Sequence, residues 1–221
     1  MLASRLPDDV LGRIEKCGVI AVLVVDEVSD AVPLARALVE GGIDVMELTL
    51  RTPVAIDALK AIRDEVPDML AGIGTILTPE QAHQATAAGA AFGVSPGINP
   101  RVVRAAQQVG LPFAPGIATP TDLEAALELG CVHVKFFPAE SLGGLAYLKS
   151  MAAPYVHLGV RFVPLGGLSL ANMADYLRDP LILAVGGSWL APRTEIRTGD
   201  FARIRARAAE ARRQVETLRR R

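Results

Sequence analysis

The sequence predicts an α/β protein of the (β/α)8 TIM-barrel class with an extra N-terminal helix, and two observations carry this prediction. Short β-branched runs alternate with longer Ala- and Leu-rich stretches of helical period almost throughout the 221 residues. Eight such runs occur, which is the number of strands that closes this kind of barrel. The length and the 51% hydrophobic content suit one sizeable core, so we expect a single domain over residues 1–221.

The eight runs have the β-branched, apolar composition of strands that are covered on both faces. They are VIAVLVV (19–25), IDVMELTL (43–50), MLAGIGT (69–75), AFGVS (91–95), LPFAPG (111–116), VHVKFF (132–137), RFVPLGG (161–167) and LILAVGG (181–187). A doubly wound open sheet is the alternative. The absence of a strong dinucleotide fingerprint favours the barrel, as do the Gly-Gly pairs after the seventh and eighth runs, where barrels often hold a phosphate.

The stretches between the runs carry apolar residues at three- and four-residue spacing, which predicts outer helices over 31–39, 55–66, 79–88, 101–109, 122–129, 142–152 and 171–178. Glycines mark helix ends at Gly41-Gly42, Gly89, Gly110 and Gly130. Helix starts are indicated at Thr78-Pro79, Asn99-Pro100 and Ser169. The extra helix, over 8–17, is predicted to plug the bottom of the barrel.

The last 21 residues hold eight arginines along a helix whose apolar stripe is Ile204, Ala208, Ala211, Val215 and Leu218. A nucleic-acid or lipid contact is one interpretation. We favour a last barrel helix with a solvated basic face, because the formal charge of the whole chain is only −1.

The balanced charge argues against nucleic acid and membrane partners and favours a small-molecule substrate. Cys17 and Cys131 belong to no redox or metal spacing, and the first residues lack the layout of a secretory signal, so we expect a cytoplasmic protein with reduced thiols. No apolar run approaches the roughly 18 residues of a membrane span.

The three histidines lie far apart in sequence and have no Asp or Glu at ligand spacing. We expect His133 inside the barrel and His83 and His157 at the surface. Neither a metal nor an organic cofactor is expected.

Strand alternation predicts which side chains enter the barrel lumen. In VHVKFF, His133, Lys135 and Phe137 share one face, and the valines on the other face suit packing against the helices. The same logic places Glu47 of IDVMELTL inside. Desolvation favours the neutral form of an amine, which can attack a ketone to form an imine. From these residues alone, a structural ion pair between Lys135 and Glu47 is an equally good interpretation.

Six motifs, all in register, carry a resemblance that covers nearly the whole chain. They are VMELTLRT (45–52), GIGTIL (72–77), VSPG (94–97), VKFFPAE (134–140), PLGGLS (164–169) and VGGSWL (185–190). With them the chain resembles the aldolases of 2-keto-3-deoxy-6-phosphogluconate (KDPG) and 4-hydroxy-2-oxoglutarate (KHG). The resemblance implies a class I, Schiff-base aldolase that cleaves KDPG to pyruvate and glyceraldehyde 3-phosphate, and by analogy a homotrimer.

The resemblance also implies site residues. Lys135 is the Schiff-base lysine, and Glu47 transfers protons. Arg51 binds the pyruvoyl carboxylate, and its planar guanidinium suits that group. The other expected substrate-binding residues are Thr75, Pro96, Phe137, Leu165, Gly166, Gly167, Gly187 and Ser188.

Within that set, the glycine pair Gly166-Gly167 and Gly187-Ser188 form the expected phosphate site, where backbone N–H groups approach a dianion closely. Leu165 is a departure, because related enzymes often carry a threonine there that touches substrate hydroxyls. This leaves the stereochemical preference of the chain open.

Four alternatives remain at this point. Two of them keep the chemistry and change the natural substrate, to the galactonate epimer of KDPG or to unphosphorylated KHG. Ser188 argues mildly against KHG, because it suits a phosphate. A barrel isomerase or epimerase would use Glu47 as a simple base. A non-catalytic phosphosugar-binding barrel is the fourth, although a pure binder has no use for an interior nucleophile.

Overall fold

The computed structural model describes residues 6–219. The strands are β1 Val19–Leu23, β2 Val45–Thr49, β3 Leu70–Gly74, β4 Gly93–Val94, β5 Phe113–Ala114, β6 Gly116–Ile117, β7 His133–Phe136, β8 Arg161–Pro164 and β9 Val185–Gly187. Each predicted run contains one strand, except the fifth. That run contains β5 and, beyond Pro115, the start of β6. Proline cannot donate to the ladder, but the Pro115 carbonyl still accepts from the Lys135 backbone N–H at 2.9 Å.

The strands form a closed ring of parallel neighbours. One sheet has the order β5-β4-β3-β2-β1-β9, and a second has the order β6-β7-β8. Chain continuity through Pro115 joins the sheets on one side. On the other side, bridges between Phe162 and Ile182 and between Leu165 and Gly186 join them. The ring confirms the barrel and excludes the open doubly wound sheet.

The helices lie between the strands in the predicted rhythm. They are α1 Asp8–Cys17, α2 Val28–Glu40, α3 Ala55–Glu65, α4 Pro79–Ala87, α5 Pro100–Gln108, α6 Pro120–Glu128, α7 Gly144–Ala152, α8 Met173–Leu177, α9 Arg193–Arg197 and α10 Phe201–Arg219. Single 3-10 turns occur at Glu140–Leu142, Ala153–Leu158 and Ser188–Leu190.

Two predicted helices are shorter in the structure, and each has a local cause. The helix predicted over 142–152 breaks after a 3-10 turn, because Gly143 and Gly144 have φ of +106° and +66°. The helix predicted over 171–178 becomes α8, because the Ser169 N–H donates to the Asn172 side chain at 2.8 Å and holds a turn there. The predicted start at Ser169 is therefore wrong.

The glycine pair after α2 does two different jobs. Gly42 has a φ of +83° and ends the helix as predicted, whereas Gly41 keeps right-handed helical geometry. A Cβ atom on Gly41 would lie 2.5 Å from the Ala208 Cβ of α10. Gly41 therefore allows α10 to pack closely against the end of α2.

The basic helix α10 is a barrel helix, as predicted. Ile204, Ala208, Ala211 and Val215 are buried, and Leu218 is half-buried. Many of its arginines bind acidic groups of neighbouring elements, as in the pairs Arg205–Glu40 at 2.9 Å and Arg207–Glu195 at 2.8 Å. The arginine face is thus used mainly for packing and surface ion pairs.

The extra helix α1 covers the amino-terminal end of the barrel, as predicted. Val10, Ile14 and Cys17 are buried, and Ile14 reaches the lumen together with Leu6. Over residues 6–219, the helices lack the combination of length and hydropathy that a membrane span requires.

Candidate active site

A buried lysine and a buried glutamate meet in the lumen of the barrel. Lys135 Nζ of β7 lies 3.1 Å from Oε1 and 3.3 Å from Oε2 of Glu47 on β2. The exposed fractions of the two side chains are 8% and 3%. This contact joins residues 88 positions apart, and it is the contact that the alternation of the two strands predicts.

The neighbouring strand makes room for the glutamate. A Cβ atom on Gly74 of β3 would lie 1.8 Å from Glu47 Oε1, a distance that no side chain tolerates. Gly74 is the second glycine of the GIGT sequence, and from sequence alone it is expected to be an ordinary turn residue. Its absent side chain is what admits the Glu47 carboxylate.

Apolar residues close the lumen beneath the pair. A small cavity of about 20 Å³ touches both Glu47 and Lys135, and its other walls come from Leu6, Ile14, Ile20, Phe92, Val94, Ala114, Val163 and Leu165. A volume of that size holds about one water molecule. Bulk water therefore does not reach the pair from the amino-terminal end. The low dielectric around the pair strengthens the electrostatic interaction between Lys135 and Glu47.

Three further predicted residues lie just beyond the carboxyl ends of strands, at the same end of the barrel. The Phe137 ring centroid lies 5.7 Å from Lys135 Nζ. Thr75 follows Gly74 and has a φ of +61°, a left-handed conformation that is strained for a β-branched residue and that persists mostly at functional positions. Pro96 follows β4, and a Cβ atom on Gly116 would lie 2.2 Å from the Pro96 carbonyl oxygen.

A larger opening, which we call the mouth cavity, lies at the carboxyl ends of β1, β2, β8 and β9. Its volume is about 640 Å³. Five predicted residues line it together: Arg51, Gly166, Gly167, Gly187 and Ser188. Thr75, Pro96 and Phe137 line neither this cavity nor the small one. Leu165 lines the small lumen cavity, so its side chain belongs to the wall around Lys135.

The Gly166-Gly167 turn depends on its lack of side chains. The two φ angles are +96° and +84°, and a Cβ atom on Gly167 would lie 2.5 Å from the Glu140 Cβ. Glu140 accepts a hydrogen bond from Tyr176. Burial, and then this hydrogen bond, raises the pKa of the Tyr176 hydroxyl. Glu140 and Tyr176 thus support the glycine turn from behind, a role that the sequence analysis missed.

Sequence reasoning also missed the charged rim of the mouth cavity. Arg193, at the start of α9, lines the cavity, and its Nε donates to Asp26 Oδ2 at 2.9 Å. Arg197 Nε donates to the same oxygen at 2.6 Å. The hydrogen bonds from Arg193 and then Arg197 hold the pKa of Asp26 well below its usual range. Two guanidinium groups share one carboxylate, which leaves this rim with a net positive charge.

The histidines lie where they were predicted. His133 is buried on β7, and His83 and His157 are exposed. Within residues 6–219, the structure brings no three His, Cys, Asp or Glu side chains together in a way that would hold a metal ion.

The chain is similar to a defined group of enzymes. The model of the "KDPG and KHG aldolase" family matches residues 10–207. The 2-dehydro-3-deoxy-phosphogluconate aldolase of Treponema pallidum is 54% identical over 193 residues, which are 87% of this chain and 91% of that protein. The KHG/KDPG aldolase of Escherichia coli K12 is 45% identical over 193 residues, 87% of this chain and 90% of that protein.

A solved structure is similar over the same length. It is the crystal structure of a KDPG aldolase from Legionella pneumophila with pyruvate captured as a covalent carbinolamine intermediate. Its TM-score with this chain is 0.86 at 40% sequence identity, and the match covers 91% of this chain and 97% of the other.

Proposed function

This chain belongs to the KDPG and KHG aldolase family, and we propose from that membership and from its site that it cleaves KDPG to pyruvate and glyceraldehyde 3-phosphate as a class I aldolase. The observation that carries the proposal is the buried contact of 3.1 Å between Lys135 Nζ and Glu47 Oε1. It places a nucleophile beside an acid-base group in a lumen that apolar side chains close at its amino-terminal end.

Lys135 forms the covalent intermediate. Its neutral amine attacks C2 of the keto acid to give a carbinolamine, and loss of water then gives a protonated imine that withdraws electrons from C3. Glu47 is close enough to take a proton from Lys135 and to protonate the departing hydroxyl, directly or through one water molecule. The same two side chains thus form the imine without a metal or an organic cofactor.

Glu47 acts again when the carbon-carbon bond breaks. It removes the proton of the C4 hydroxyl, the C3–C4 electrons move into the imine, and glyceraldehyde 3-phosphate leaves. The remaining enamine takes a proton at C3, and water hydrolyses the imine to release pyruvate and free Lys135. One carboxylate within reach of Nζ serves each of these transfers.

The surrounding residues hold the substrate. We assign the pyruvoyl carboxylate to Arg51, whose planar fork binds such groups in a bidentate manner, together with Thr75. We assign Pro96 and Phe137 to the apolar side of the bound substrate, because the Phe137 ring lies 5.7 Å from Nζ. Leu165 closes the lumen wall beside Lys135. It offers no hydrogen bond to a substrate hydroxyl, so recognition of the C4 configuration must come from other groups.

The phosphate belongs in the mouth cavity, against Gly166, Gly167, Gly187 and Ser188. The Gly166-Gly167 turn and the end of β9 at Gly187 let backbone N–H groups approach a phosphate closely, and the Ser188 hydroxyl adds a donor where a 3-10 turn begins. Arg193 adds positive charge at the rim. KHG cleavage is a second activity that we propose, because KHG needs only the lumen residues and the Escherichia coli relative is named for both substrates.

We further propose that residues 1–221 are one barrel domain, since the family match spans 10–207 and the elements from α1 to α10 surround one ring of strands. We propose a cytoplasmic location, to which the buried thiols of Cys17 and Cys131 are suited. A homotrimer is proposed by analogy with the family alone.

Borohydride trapping tests the proposal. Incubation with pyruvate and borohydride should inactivate the enzyme and add one reduced pyruvate to Lys135, because only this lysine is buried beside a carboxylate. Peptide mass spectrometry locates the adduct. Labelling of Lys16, Lys60 or Lys149 in its place would overturn the assignment. An unlabelled but active enzyme would point to an isomerase or epimerase that uses Glu47 as a base, and an unlabelled, inactive protein to a phosphosugar binder.

A further inference from the structure

A further cavity, the basal cavity, lies at the opposite end of the barrel from the mouth. It has a volume of about 250 Å³ and is enclosed by α1, α8, the start of β8, the loop that leads into β9 and the last turns of α10. The proposed catalytic residues lie at the carboxyl ends of the strands, or in the lumen, so the proposed reaction makes no use of this cavity.

The basal cavity carries more positive than negative charge. The guanidinium groups of Arg161, Arg178 and Arg219 line it, against the carboxylates of Glu15 and Asp179. Both carboxylates are already engaged. Glu15 Oε1 accepts from Arg161 at 2.8 Å, and Asp179 forms an ion pair with Lys149 at 3.0 Å. Arg178 in turn pairs with Asp175 at 2.8 Å, so Arg219 is the positive group left in excess.

Arg161 has an unused donor in this cavity wall. Its Nη1 and Nη2 groups bind Glu15 and the Ile182 carbonyl oxygen. Its Nε is buried and has no hydrogen-bond partner among residues 6–219. That nitrogen has almost no accessible surface, so a ligand in the cavity meets instead the second hydrogens of Nη1 and Nη2, on a side chain that is 28% exposed.

Arg219 lacks a carboxylate partner in the part of the chain that the structure describes. Its Nη1 donates to the Lys16 carbonyl oxygen at 2.5 Å. The charges of Arg212 and Glu15 act on its guanidinium in opposite directions. Burial, and then the charge of Arg212, lowers the pKa of Arg219. A bound anion would oppose both effects.

We propose that the basal cavity binds a small organic anion. Its phosphate or carboxylate head contacts Arg161 and Arg219, and its short carbon part lies against Leu177, Ile182 and Leu183. Guanidinium groups bind both kinds of head in similar geometry. The volume is at the lower end for ligand sites and suits a molecule of only a few carbons.

Methyl NMR of the full chain tests the proposal, with labelled Ile, Leu and Val methyl groups and separate titrations with inorganic phosphate and malonate. The methyls of Ile182, Leu183 and Val215 report on the basal cavity, and those of Val22 and Leu168 report on the mouth cavity. We expect at least one anion to shift the NMR signals of the basal methyls. The midpoint concentration of that shift should differ from the midpoint at the mouth methyls. The anion with the lower midpoint identifies the preferred head group.

Two variants decide whether Arg219 binds the anion. Arg219→Gln should raise the dissociation constant read from the basal methyls by about threefold to tenfold, because one charged contact at a partly exposed site is lost. Arg104→Gln, exposed on α5, loses the same charge and should change nothing. Basal methyls that stay fixed while the mouth methyls saturate, or equal weakening in both variants, would overturn the proposal. The readout needs no turnover, so it is independent of the proposed activity.

Discussion

At its carboxyl end the barrel opens into the mouth cavity of about 640 Å³, where glycine turns, a serine and two arginines face solvent. At its amino end, α1 covers the same lumen with apolar side chains, and Leu6 and Ile14 reach up to the Lys135–Glu47 pair. The pair lies at the boundary between the two ends. The strands that carry proposed site residues thus pack at one end and reach the proposed substrate site at the other.

The difference bears on how the proposed catalytic pair can be buried. Burial of a charged pair costs free energy unless its groups satisfy one another, and the 3.1 Å contact does so in the free enzyme. In the proposed reaction, a substrate comes from the mouth, and covalent chemistry at Lys135 replaces that contact. Changes at the carboxyl end should therefore affect turnover, and changes at the amino end should affect stability.

The largest effect on turnover is expected from Glu47→Gln. The amide keeps the shape of the side chain beside Gly74 but cannot relay protons, so kcat should fall by roughly 10²- to 10⁴-fold. Steady-state cleavage of KDPG measures the loss, and the exposed Glu80→Gln serves as a control. Normal turnover in Glu47→Gln would show that Glu47 is only the structural partner of Lys135.

A smaller, substrate-dependent effect is expected from Ser188→Ala. A hydrogen bond to a charged group contributes roughly 1.5–3 kcal/mol, so kcat/KM for KDPG should fall by about tenfold to a hundredfold. KHG has no phosphate, and its cleavage should hardly change. Ser150→Ala, on the exposed face of α7, is the matched control. Equal losses on both substrates would move the phosphate away from Ser188.

A still smaller effect is expected from Arg193→Gln. This guanidinium is 44% exposed and shares Asp26 with Arg197, so its loss should raise KM for KDPG by only about twofold to fivefold. Arg197→Gln is the control, since Arg197 binds the same carboxylate but does not line the mouth cavity. Dividing the KM for KDPG of Arg193→Gln by that of Arg197→Gln, at low and at high salt, measures the effect of the Arg193 charge on substrate binding. Indistinguishable ratios would assign Arg193 to the surface ion pair alone.

No effect on kcat is expected from Val10→Ala at the amino end. The change removes two buried methyl groups of α1, so the free energy of unfolding should fall by about 1–3 kcal/mol. Denaturant titration and assays at 25 °C measure the two quantities, with the exposed Leu158→Ala as control. A large loss of kcat in a folded Val10→Ala enzyme would show that the two ends of the barrel are coupled.

Local patterns were enough to predict the barrel and the meeting of Lys135 and Glu47 in its lumen. The two-residue period of a strand places Lys135 and Glu47 inside, and this needs no knowledge of which strands are neighbours. Resemblance then grouped Arg51 with the two glycine turns, and the structure finds these residues around one cavity.

Contacts between distant segments could not be predicted in this way. Asp26 and Arg193 are 167 positions apart, and each reads in sequence as an ordinary surface charge. Likewise, no local signal shows that Gly41 faces Ala208 or that Glu140 supports Gly167, because these contacts depend on how outer elements settle against each other. The later start of α8 has a local cause, since Ser169 and Asn172 together hold a hydrogen-bonded turn ahead of the helix.

The empty space at Gly74 has a consequence for anyone who would transplant this chemistry into another barrel. Grafting a lysine and a glutamate onto two strands is not sufficient, because the strand beside the glutamate must carry a glycine at the matching height. The smallest portable unit therefore comprises three strands, β2, β3 and β7, in fixed register. A recipient scaffold with alanine at the position of Gly74 would push the carboxylate out of reach of its lysine, however well both side chains were chosen.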